Sequence, residues 1–325
     1  MSQMNMVQSI NQALAQEMER DQNVLVLGED VGVDGGVFRV TEGLLQKFGE
    51  ERVIDTPLSE SGIVGTSIGM AVYGLKPVVE IQFSGFIYSA FEQLISHASR
   101  IRNRSRGRFT CPLVVRTPCS WVSRGLEHHE ESTEALFIHT PGLKVVMPSN
   151  PYDAKGLLIS SIRDPDPVIF FEPLRLYRAF KQEVPDEIYT IPIGEANVVK
   201  EGTDITLISY GAMMSSVLEA DEILKGNNIN SEVINLRTLS PLDKDTILKS
   251  VKKTGKCVVV HEAPLTCGLG AEISAIINEK ALLNLEAPVI RITGFDTVVP
   301  LAKLENNYIP DVRRIVTETK NLMKF

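Results

Sequence analysis

The sequence is short of cysteine, of long apolar runs and of positive charge, and each shortage excludes a class of protein. Cys111, Cys119, Cys257 and Cys267 show no Cys-x-x-Cys spacing, which argues against a disulfide scaffold or a cysteine-rich zinc site. No apolar run approaches the roughly 18 residues of a membrane span. A net charge of −8 disfavours a nucleic-acid or anionic-membrane partner. Because the N-terminus also lacks a basic and apolar signal segment, we expect a cytoplasmic protein.

The common nucleotide-binding and hydrolase motifs are also missing. The chain contains no Gly-x-Gly-x-x-Gly fingerprint, no P-loop and no Gly-x-Ser-x-Gly elbow. The short Gly268-Leu269-Gly270 run follows a predicted strand that ends near His261. We expect this run to let a helix begin close to that strand.

Strands and helices alternate along the 325 residues, which predicts an α/β protein with mostly parallel sheets flanked by helices. The periodicity is lost between residues 173 and 194 and then resumes. We therefore predict a first domain over residues 1–180, a linker over 181–194 and a second domain over 195–325. Within the first domain the pattern predicts one continuous helix over 86–102.

One stretch, Asp55-Thr56-Pro57-Leu58-Ser59-Glu60-Ser61-Gly62, places a carboxylate, Glu60, at the start of a predicted helix. That helix keeps glycines at positions 62, 65, 69 and 74, although each interior glycine costs about 0.5–1 kcal/mol against alanine. Such a helix is expected to be approached closely by a ligand or by another backbone. Glu60 is either a partner of the helix dipole or a buried carboxylate that hydrogen-bonds a cofactor, and the pattern alone leaves both open.

Residues 121–131 concentrate two of the five histidines, His128 and His129, with three carboxylates just after a predicted strand. Loops at the carboxyl ends of parallel strands are where α/β proteins place ligands. Adjacent histidines point in different directions and are poorly placed to share a zinc ion. A histidine that donates a proton or stabilises an oxyanion is favoured, and a solvent-exposed acidic loop is the alternative.

Five arginines at alternate positions form the one dense basic cluster of the chain. They are either a solvated helix end or an anchor for an acidic partner surface. The acidic balance of the whole chain argues against a nucleic-acid site. The arginines are those at positions 100, 102, 104, 106 and 108.

Several segments together are similar to the beta subunits of thiamine-dependent 2-oxo acid dehydrogenases. The resemblance is collinear and covers essentially the whole chain. It implies a transketolase-like pyrimidine-binding domain followed by a transketolase C-terminal domain. The segments are Gly28-Glu29-Asp30, Gly35-Gly36-Val37-Phe38, the stretch 55–62, Glu80-Ile81-Gln82-Phe83, and residues 139–146, 162–164 and 236–243.

The resemblance implies decarboxylation of a 2-oxo acid with thiamine diphosphate, and reductive acylation of a lipoyl group carried by another component. Pyruvate is the expected substrate, and a branched-chain 2-oxo acid or acetoin is the alternative. The glutamate that activates the cofactor falls on Glu60, and the active-site histidine falls on His129. Phe86 matches the aromatic residue that packs on the aminopyrimidine, and Gln82 is a further cofactor-binding candidate. Arg124 is a candidate for binding the substrate carboxylate.

One absence bears on the partners. Thiamine-dependent enzymes hold the diphosphate through magnesium bound by a Gly-Asp-Gly segment and a following Asn-Asn pair, and this chain has no Gly-Asp-Gly. The resemblance therefore implies an alpha subunit that supplies magnesium and the diphosphate half of the site, in a heterotetramer of two alpha and two beta subunits. The acyltransferase core and its lipoyl domain are further implied partners. The glycine-rich helix after Glu60 would face a neighbouring subunit.

The family also carries a structural monovalent cation, implied here to be potassium. Hard oxygen ligands from a loop that closes a helix suit such an ion. The implied ligands are Leu113, Ser161, Ile162, Asp164 and Asp166.

The chain departs from the family pattern in the 120–131 segment. Relatives have a glycine-rich run and a second histidine where this chain has Ser120, Trp121, Val122 and Arg124. It also has Glu130-Glu131-Ser132 after the active histidine. These changes could strengthen binding of a substrate carboxylate or reshape the pocket. The competing hypothesis is a non-catalytic assembly subunit. The presence of both catalytic candidates, Glu60 and His129, argues against it.

Overall fold

A computed structural model describes residues 1–121 and 125–325 of the chain. The strands are β1 Ser2–Met4, β2 Val24–Gly28, β3 Val53–Asp55, β4 Lys76–Glu80, β5 Val114–Cys119, β6 Lys144–Val146, β7 Val168–Pro173, β8 Gln182–Val184, β9 Asn197–Lys200, β10 Ile205–Ser209, β11 Ser231–Asn235, β12 Thr238–Ser240, β13 Cys257–Pro264 and β14 Ile290–Gly294. The helices are α1 Met6–Arg20, α2 Leu44–Phe48, α3 Glu60–Tyr73, α4 Ile101–Arg104, α5 Glu134–Ile138, α6 Pro151–Arg163, α7 Met213–Lys225, α8 Lys244–Thr254, α9 Leu269–Ala281, α10 Glu305–Tyr308 and α11 Val312–Leu322. None of the helices in the described ranges is long and apolar enough to cross a membrane.

The larger sheet has seven strands in the order β3-β2-β4-β5-β7-β6-β12. All neighbours are parallel except β12, which pairs antiparallel with β6. Every residue of β2 is buried, as expected for an apolar strand covered by helices on both faces. The predicted α/β layer is therefore confirmed, and a short strand from the later part of the chain completes its edge.

The register of the parallel strands sets the position of the candidate site. Gly28, the last residue of β2, is level with Asp55 of β3 and Glu80 of β4, and Glu80 is level with Arg116 of β5. Parallel strands bring their carboxyl ends to one edge of a sheet, where α/β proteins bind ligands. The loops that follow these strands therefore share one side of the larger sheet.

The smaller sheet has five strands in the order β14-β13-β10-β11-β9. Its neighbours are parallel except the edge strand β9, which runs antiparallel to β11. Helices α7 and α11 pack against each other, as do α8 and α9. This second α/β unit agrees with the resumed alternation of strands and helices in the sequence.

Residues 181–194, predicted as a linker, are packed against the first sheet unit. Strand β8 pairs antiparallel with β1. The buried Lys155 donates from Nζ to Gln12 and to the carbonyls of residues 185–187 at 2.5 to 3.3 Å. Tyr189 stacks on Tyr152 with ring centroids 4.6 Å apart. The hydrogen bonds from Lys155 hold residues 185–187, and so the chain between the two sheets, against the first sheet unit.

The single helix predicted over residues 86–102 is wrong in detail. The chain forms a 3-10 helix, Ser84–Ala90, a π-turn, Gln93–His97, a second 3-10 turn, Ala98–Arg100, and then α4. The Ser99 hydroxyl donates to the Ile95 carbonyl at 2.8 Å, a side-chain bond that competes with the regular helical ladder. An apolar periodicity does not distinguish these helix types, because all of them keep one face toward the core.

Candidate active site

Glu60 is the first residue of α3 and is 8% exposed. Ser59 caps the helix by accepting from the Gly62 N–H at 3.4 Å. Within residues 1–121 and 125–325, the Glu60 carboxylate has no hydrogen-bond or ion-pair partner. Its two oxygens are not among the fully buried polar atoms that lack a partner, so the carboxylate is open to the space beside the site. The side chain therefore suits a donor that comes from a bound group.

A second carboxylate, Glu29, follows the end of β2 and lies close enough to sense the charge of Glu60. Partial burial raises the pKa of the Glu29 carboxyl, and the charges of Glu60 and Asp30 raise it further. The Gln82 amide, two residues beyond β4, donates to the Asp30 carboxylate at 3.0 Å. The side of the sheet beside Glu60 is therefore rich in negative charge.

His129 lies in a cluster of aromatic side chains. Its ring stacks on Phe83 with centroids 4.0 Å apart and meets the Phe86 ring edge-on at 5.6 Å. His128 lies 4.2 Å from His129 by ring centroids. Burial lowers the pKa of His129, and the neighbouring His128 lowers it further, whereas Glu127 raises it. The His129 ring is therefore neutral near pH 7 and is available to accept or to donate one proton.

A glycine allows the histidine turn to approach this cluster. The 3-10 turn Glu127–His129 packs against the 3-10 helix Ser84–Ala90. A Cβ atom at Gly85 would lie 2.0 Å from the His128 carbonyl oxygen. The same 3-10 helix packs against α3, the helix that begins with Glu60. The element Ser84–Ala90 therefore joins the Glu60 side of the site to the His129 side.

A buried ion network supports the aromatic cluster from below. The Arg116 guanidinium donates to both oxygens of Glu172 at 2.7 and 2.9 Å and to Glu80 at 2.9 Å. The Tyr177 hydroxyl donates to Glu172, and the Tyr177 ring lies 5.5 Å from Phe38. Burial raises the pKa of Glu80, although Arg116 opposes that rise. The network fixes the ends of β4, β5 and β7 beneath the site.

The predicted residues fall into three groups. Phe86 and His129 meet through their rings, and Gln82 lies just before the Ser84–Ala90 helix with its side chain on Asp30. Glu60 begins α3, which packs against that helix. Arg124 lies outside the described residues, so its place relative to the others stays a prediction.

The five implied potassium ligands lie around the end of α6 and the start of β5. The Asp164 carboxylate accepts from Lys144 Nζ at 2.6 and 2.8 Å, and Asp166 accepts from Arg102 at 2.7 Å. The Leu113 carbonyl accepts from the Val168 N–H at 2.9 Å. The structure, in the ranges it describes, holds no group of three or more His, Cys, Asp or Glu side chains placed to bind a metal ion. A cation here would depend on main-chain oxygens, because both carboxylates are already neutralised.

Sequence reasoning gave no role to Phe83, Gly85 or the Arg116 network. A signal for the network was present, because Glu80, Arg116 and Glu172 each follow a run of apolar residues within a strand. Charged residues in buried strands are rare unless they are paired. Gly85 gave no such signal, because its constraint comes from a turn more than forty residues away in the sequence.

Comparisons with known proteins agree with this architecture. Residues 2–179 match the transketolase pyrimidine-binding domain, and residues 194–315 match the transketolase C-terminal domain. The chain resembles a split-gene transketolase, described as an inactive beta4 tetramer, with a TM-score of 0.79, 20% identity and 99% of each chain covered. It also resembles a transketolase from Pichia stipitis with a TM-score of 0.72 and 12% identity, covering 100% of this chain and 46% of that one. These structures support the fold alone.

Curated relatives are much more similar in sequence. The pyruvate dehydrogenase E1 component subunit beta of Acholeplasma laidlawii is 53% identical over 324 residues, covering 100% of this chain and 99% of the relative. The protein of the same name from Bacillus subtilis (strain 168) is 50% identical over 325 residues and is covered completely, as is this chain. The resemblance to 2-oxo acid dehydrogenase beta subunits is confirmed, and the chain belongs to the family of pyruvate dehydrogenase E1 component beta subunits, built from the two transketolase-type domains.

Proposed function

We propose that this chain is the beta subunit of a thiamine diphosphate-dependent dehydrogenase component that decarboxylates pyruvate and transfers the acetyl group reductively to a lipoyl group. The proposal rests on the family and on one structural observation. That observation is the nearly buried and unpartnered carboxylate of Glu60 at the site edge of the larger sheet.

Glu60 is suited to hold a proton-bearing nitrogen of the cofactor. Thiamine diphosphate, when bound, supplies a carbon nucleophile and an electron sink that makes the loss of carbon dioxide feasible. Glu60 would accept a hydrogen bond from the aminopyrimidine ring and so favour the tautomer that activates the cofactor. The nearby negative charge of Glu29 favours a neutral or positively charged donor at this place over an anion.

His129 is suited to move a proton beside the substrate. Its neutral ring can accept or donate, and stacking on Phe83 fixes the plane of the ring. Phe86, edge-on to His129, would present an apolar surface to the aminopyrimidine. Gln82 would take part in cofactor binding through its place beside Asp30. Arg124 would bind the substrate carboxylate.

The partners follow from what the chain lacks. With no Gly-Asp-Gly segment in the sequence, magnesium and the diphosphate would be held by an alpha subunit in a heterotetramer of two alpha and two beta subunits. The acyltransferase core and its lipoyl domain would receive the acetyl group, and the expected compartment is the cytoplasm. The domain division proposed for the chain is 1–180, 181–194 and 195–325.

Potassium is proposed as a structural ion at the end of α6. Main-chain oxygens of Leu113, Ser161 and Ile162 would provide the ligands, with Asp164 and Asp166 contributing once they release Lys144 and Arg102. The unfolding midpoint of the chain should then be higher in potassium chloride than in sodium chloride of equal ionic strength. Equal midpoints in the two salts would remove potassium from the proposal.

The proposed activity is tested by reconstituting the chain with its alpha subunit, thiamine diphosphate and magnesium, and by scoring the release of carbon dioxide. Pyruvate should give the highest kcat/KM in a panel that includes branched-chain 2-oxo acids and acetoin. The beta chain without its alpha subunit should show no turnover. Higher kcat/KM for a branched-chain acid, or turnover without the alpha subunit, would contradict the proposal.

A further inference from the structure

Trp121 belongs to the first domain by sequence and to the second by packing. It follows the end of β5, and its side chain, 8% exposed, lies in an apolar cluster with Leu207, Met213 and Tyr308 of the second unit. The Arg175 guanidinium lies 4.7 Å from the centre of its ring. The indole therefore packs against the second domain and holds the start of the 121–131 segment there.

A carboxylate of the second domain holds the backbone at the same point. Glu262, in β13 and 6% exposed, accepts the Trp121 N–H through Oε2 at 3.0 Å. Ser120 has a φ of +70°, a left-handed conformation that costs free energy for a serine and is held by its surroundings.

The anchored residues connect directly to the histidine turn. The Ser120 N–H donates at 3.3 Å to the carbonyl of Glu131, two residues after His129. The same carbonyl accepts from the Ser84 hydroxyl at 2.8 Å, and the Tyr88 hydroxyl donates to the Glu131 carboxylate. The Glu262 bond to the Trp121 N–H and the Ser120 bond to the Glu131 carbonyl are joined by the backbone between residues 120 and 121, which links the second domain to the residue two positions after His129.

We propose that Glu262 and Trp121 form an interdomain anchor that positions the His129 turn, and that Glu262 is a positioning residue for the reaction. The catalytic part of this inference rests on the function proposed above, whereas the anchor itself does not. Its charge state would couple the packing of the two domains to the position of His129.

The charge of the anchor changes near neutral pH. Burial raises the pKa of Glu262 to about 7, the Trp121 N–H and Arg175 lower it, and Glu134 raises it. Among the described residues, Oε1 of Glu262 and Oε2 of Glu134 have no hydrogen-bond partner. The ionised carboxylate is the stronger acceptor, so the anchor should tighten as the pH rises through 7. The titratable and charged groups that face Glu262 are Cys119, Glu134, Arg175, Tyr210 and Tyr308.

The sequence contains a built-in probe, because Trp121 is its only tryptophan. In the full chain, tryptophan fluorescence should change with pH around a midpoint close to 7, and Glu262→Gln should abolish that transition. Glu232→Gln is the control, since Glu232 is also buried in the second domain and also accepts a backbone N–H, from Gly202 at 3.3 Å. It differs from Glu262 in that it pairs with Lys253, so the control also includes the loss of an ion pair. Persistence of the transition in Glu262→Gln, or a Trp121 emission that Glu262→Gln leaves unchanged at every pH, would refute the anchor.

The positioning role is tested in the complex with the alpha subunit. Glu262→Gln should lower kcat about tenfold with KM changed less than about twofold, because a misplaced catalytic group slows chemistry more than binding. It should also remove the part of the pH–rate profile that titrates near 7. Glu232→Gln should keep both. Identical kinetics for the two variants would overturn the positioning role.

Hydrogen exchange separates a failure of this inference from a failure of the proposed function. Glu262→Gln should speed exchange of the His129 N–H, which donates to the Leu126 carbonyl at 2.8 Å, and Glu232→Gln should not. If the unmodified complex had no activity on pyruvate, the proposed function would fall. Faster exchange in Glu262→Gln would still support the anchor, and unchanged exchange would overturn it.

Discussion

Substitution of Gly85 by alanine should displace the His129 turn without touching any ionisable group. A Cβ atom at position 85 would lie 2.0 Å from the His128 carbonyl oxygen and 2.8 Å from its carbon, and real Cβ atoms do not approach closer than about 3.0 Å. Both contacts are with backbone, so no side chain can rotate away. The turn must therefore retreat by about 1 Å.

The expected consequence is large for catalysis and moderate for stability. A displacement of about 1 Å of a catalytic group can cost on the order of 10²-fold in rate. Overpacking of this kind costs about 1–3 kcal/mol of folding free energy. We therefore expect Gly85→Ala to lower kcat/KM about 100-fold in the complex with the alpha subunit, while the chain still folds.

The assay is steady-state decarboxylation, with thermal unfolding of the same preparations measured alongside. Gly226→Ala is the matched control, because a Cβ atom there meets its nearest neighbour at 3.4 Å, an ordinary contact. It should leave kcat/KM within about twofold. A folded Gly85→Ala variant with unchanged kcat/KM would refute the placement of His129 against the Ser84–Ala90 helix or its role in the reaction.

Three further predictions concern charge and packing. His261 accepts the Gly270 N–H at 3.3 Å, and burial of its ring lowers its pKa to about 4. The folded state therefore favours the neutral ring. This contribution to the free energy of unfolding is fully present above pH 6.5 and is lost as the pH falls through 4. At about 1.4 kcal/mol per pKa unit this is about 3 kcal/mol, and His261→Phe should remove that part of the acid sensitivity in denaturant titrations between pH 4 and 8. Arg116→Met should destabilise the chain by about 3–5 kcal/mol in urea unfolding, because Glu80 and Glu172 stay buried without their cation. Gly69→Ala should stabilise the isolated chain by about 0.5–1 kcal/mol, since a Cβ atom there meets nothing within 4 Å, yet weaken assembly with the alpha subunit in sedimentation if α3 faces a partner.

The sequence allowed prediction of those parts of the fold that repeat a local pattern. The apolar run of β2 and the periodicity of α1 specify their own conformations, because each buries the face that the spacing presents. Strand β12 was beyond such reasoning. It is three residues long, and its pairing with β6 depends on how the second unit packs against the first.

The residues of the candidate site also separate into those with a local sequence signal and those set by tertiary packing. Glu60, Phe86 and His129 were found from the resemblance, since each lies in or near a distinctive motif. Glu262 carries no local signal in the sequence, because its importance depends on a contact with Trp121 that lies 141 positions away. Contacts between distant segments are set by tertiary packing, which a single sequence does not encode in any local pattern.

The role of Glu60 is the central claim, and one comparison tests it most directly. Glu60→Gln and Glu272→Gln both remove a carboxylate from the first turn of a helix, α3 and α9 respectively. If Glu60 activates the cofactor, Glu60→Gln in the complex should lower the rate of hydrogen–deuterium exchange at the reactive carbon of bound thiamine diphosphate by about 10²-fold or more, with Glu272→Gln unchanged. Equal exchange rates in both variants, with each losing only the 0.3–1 kcal/mol of a helix-dipole partner, would contradict the account.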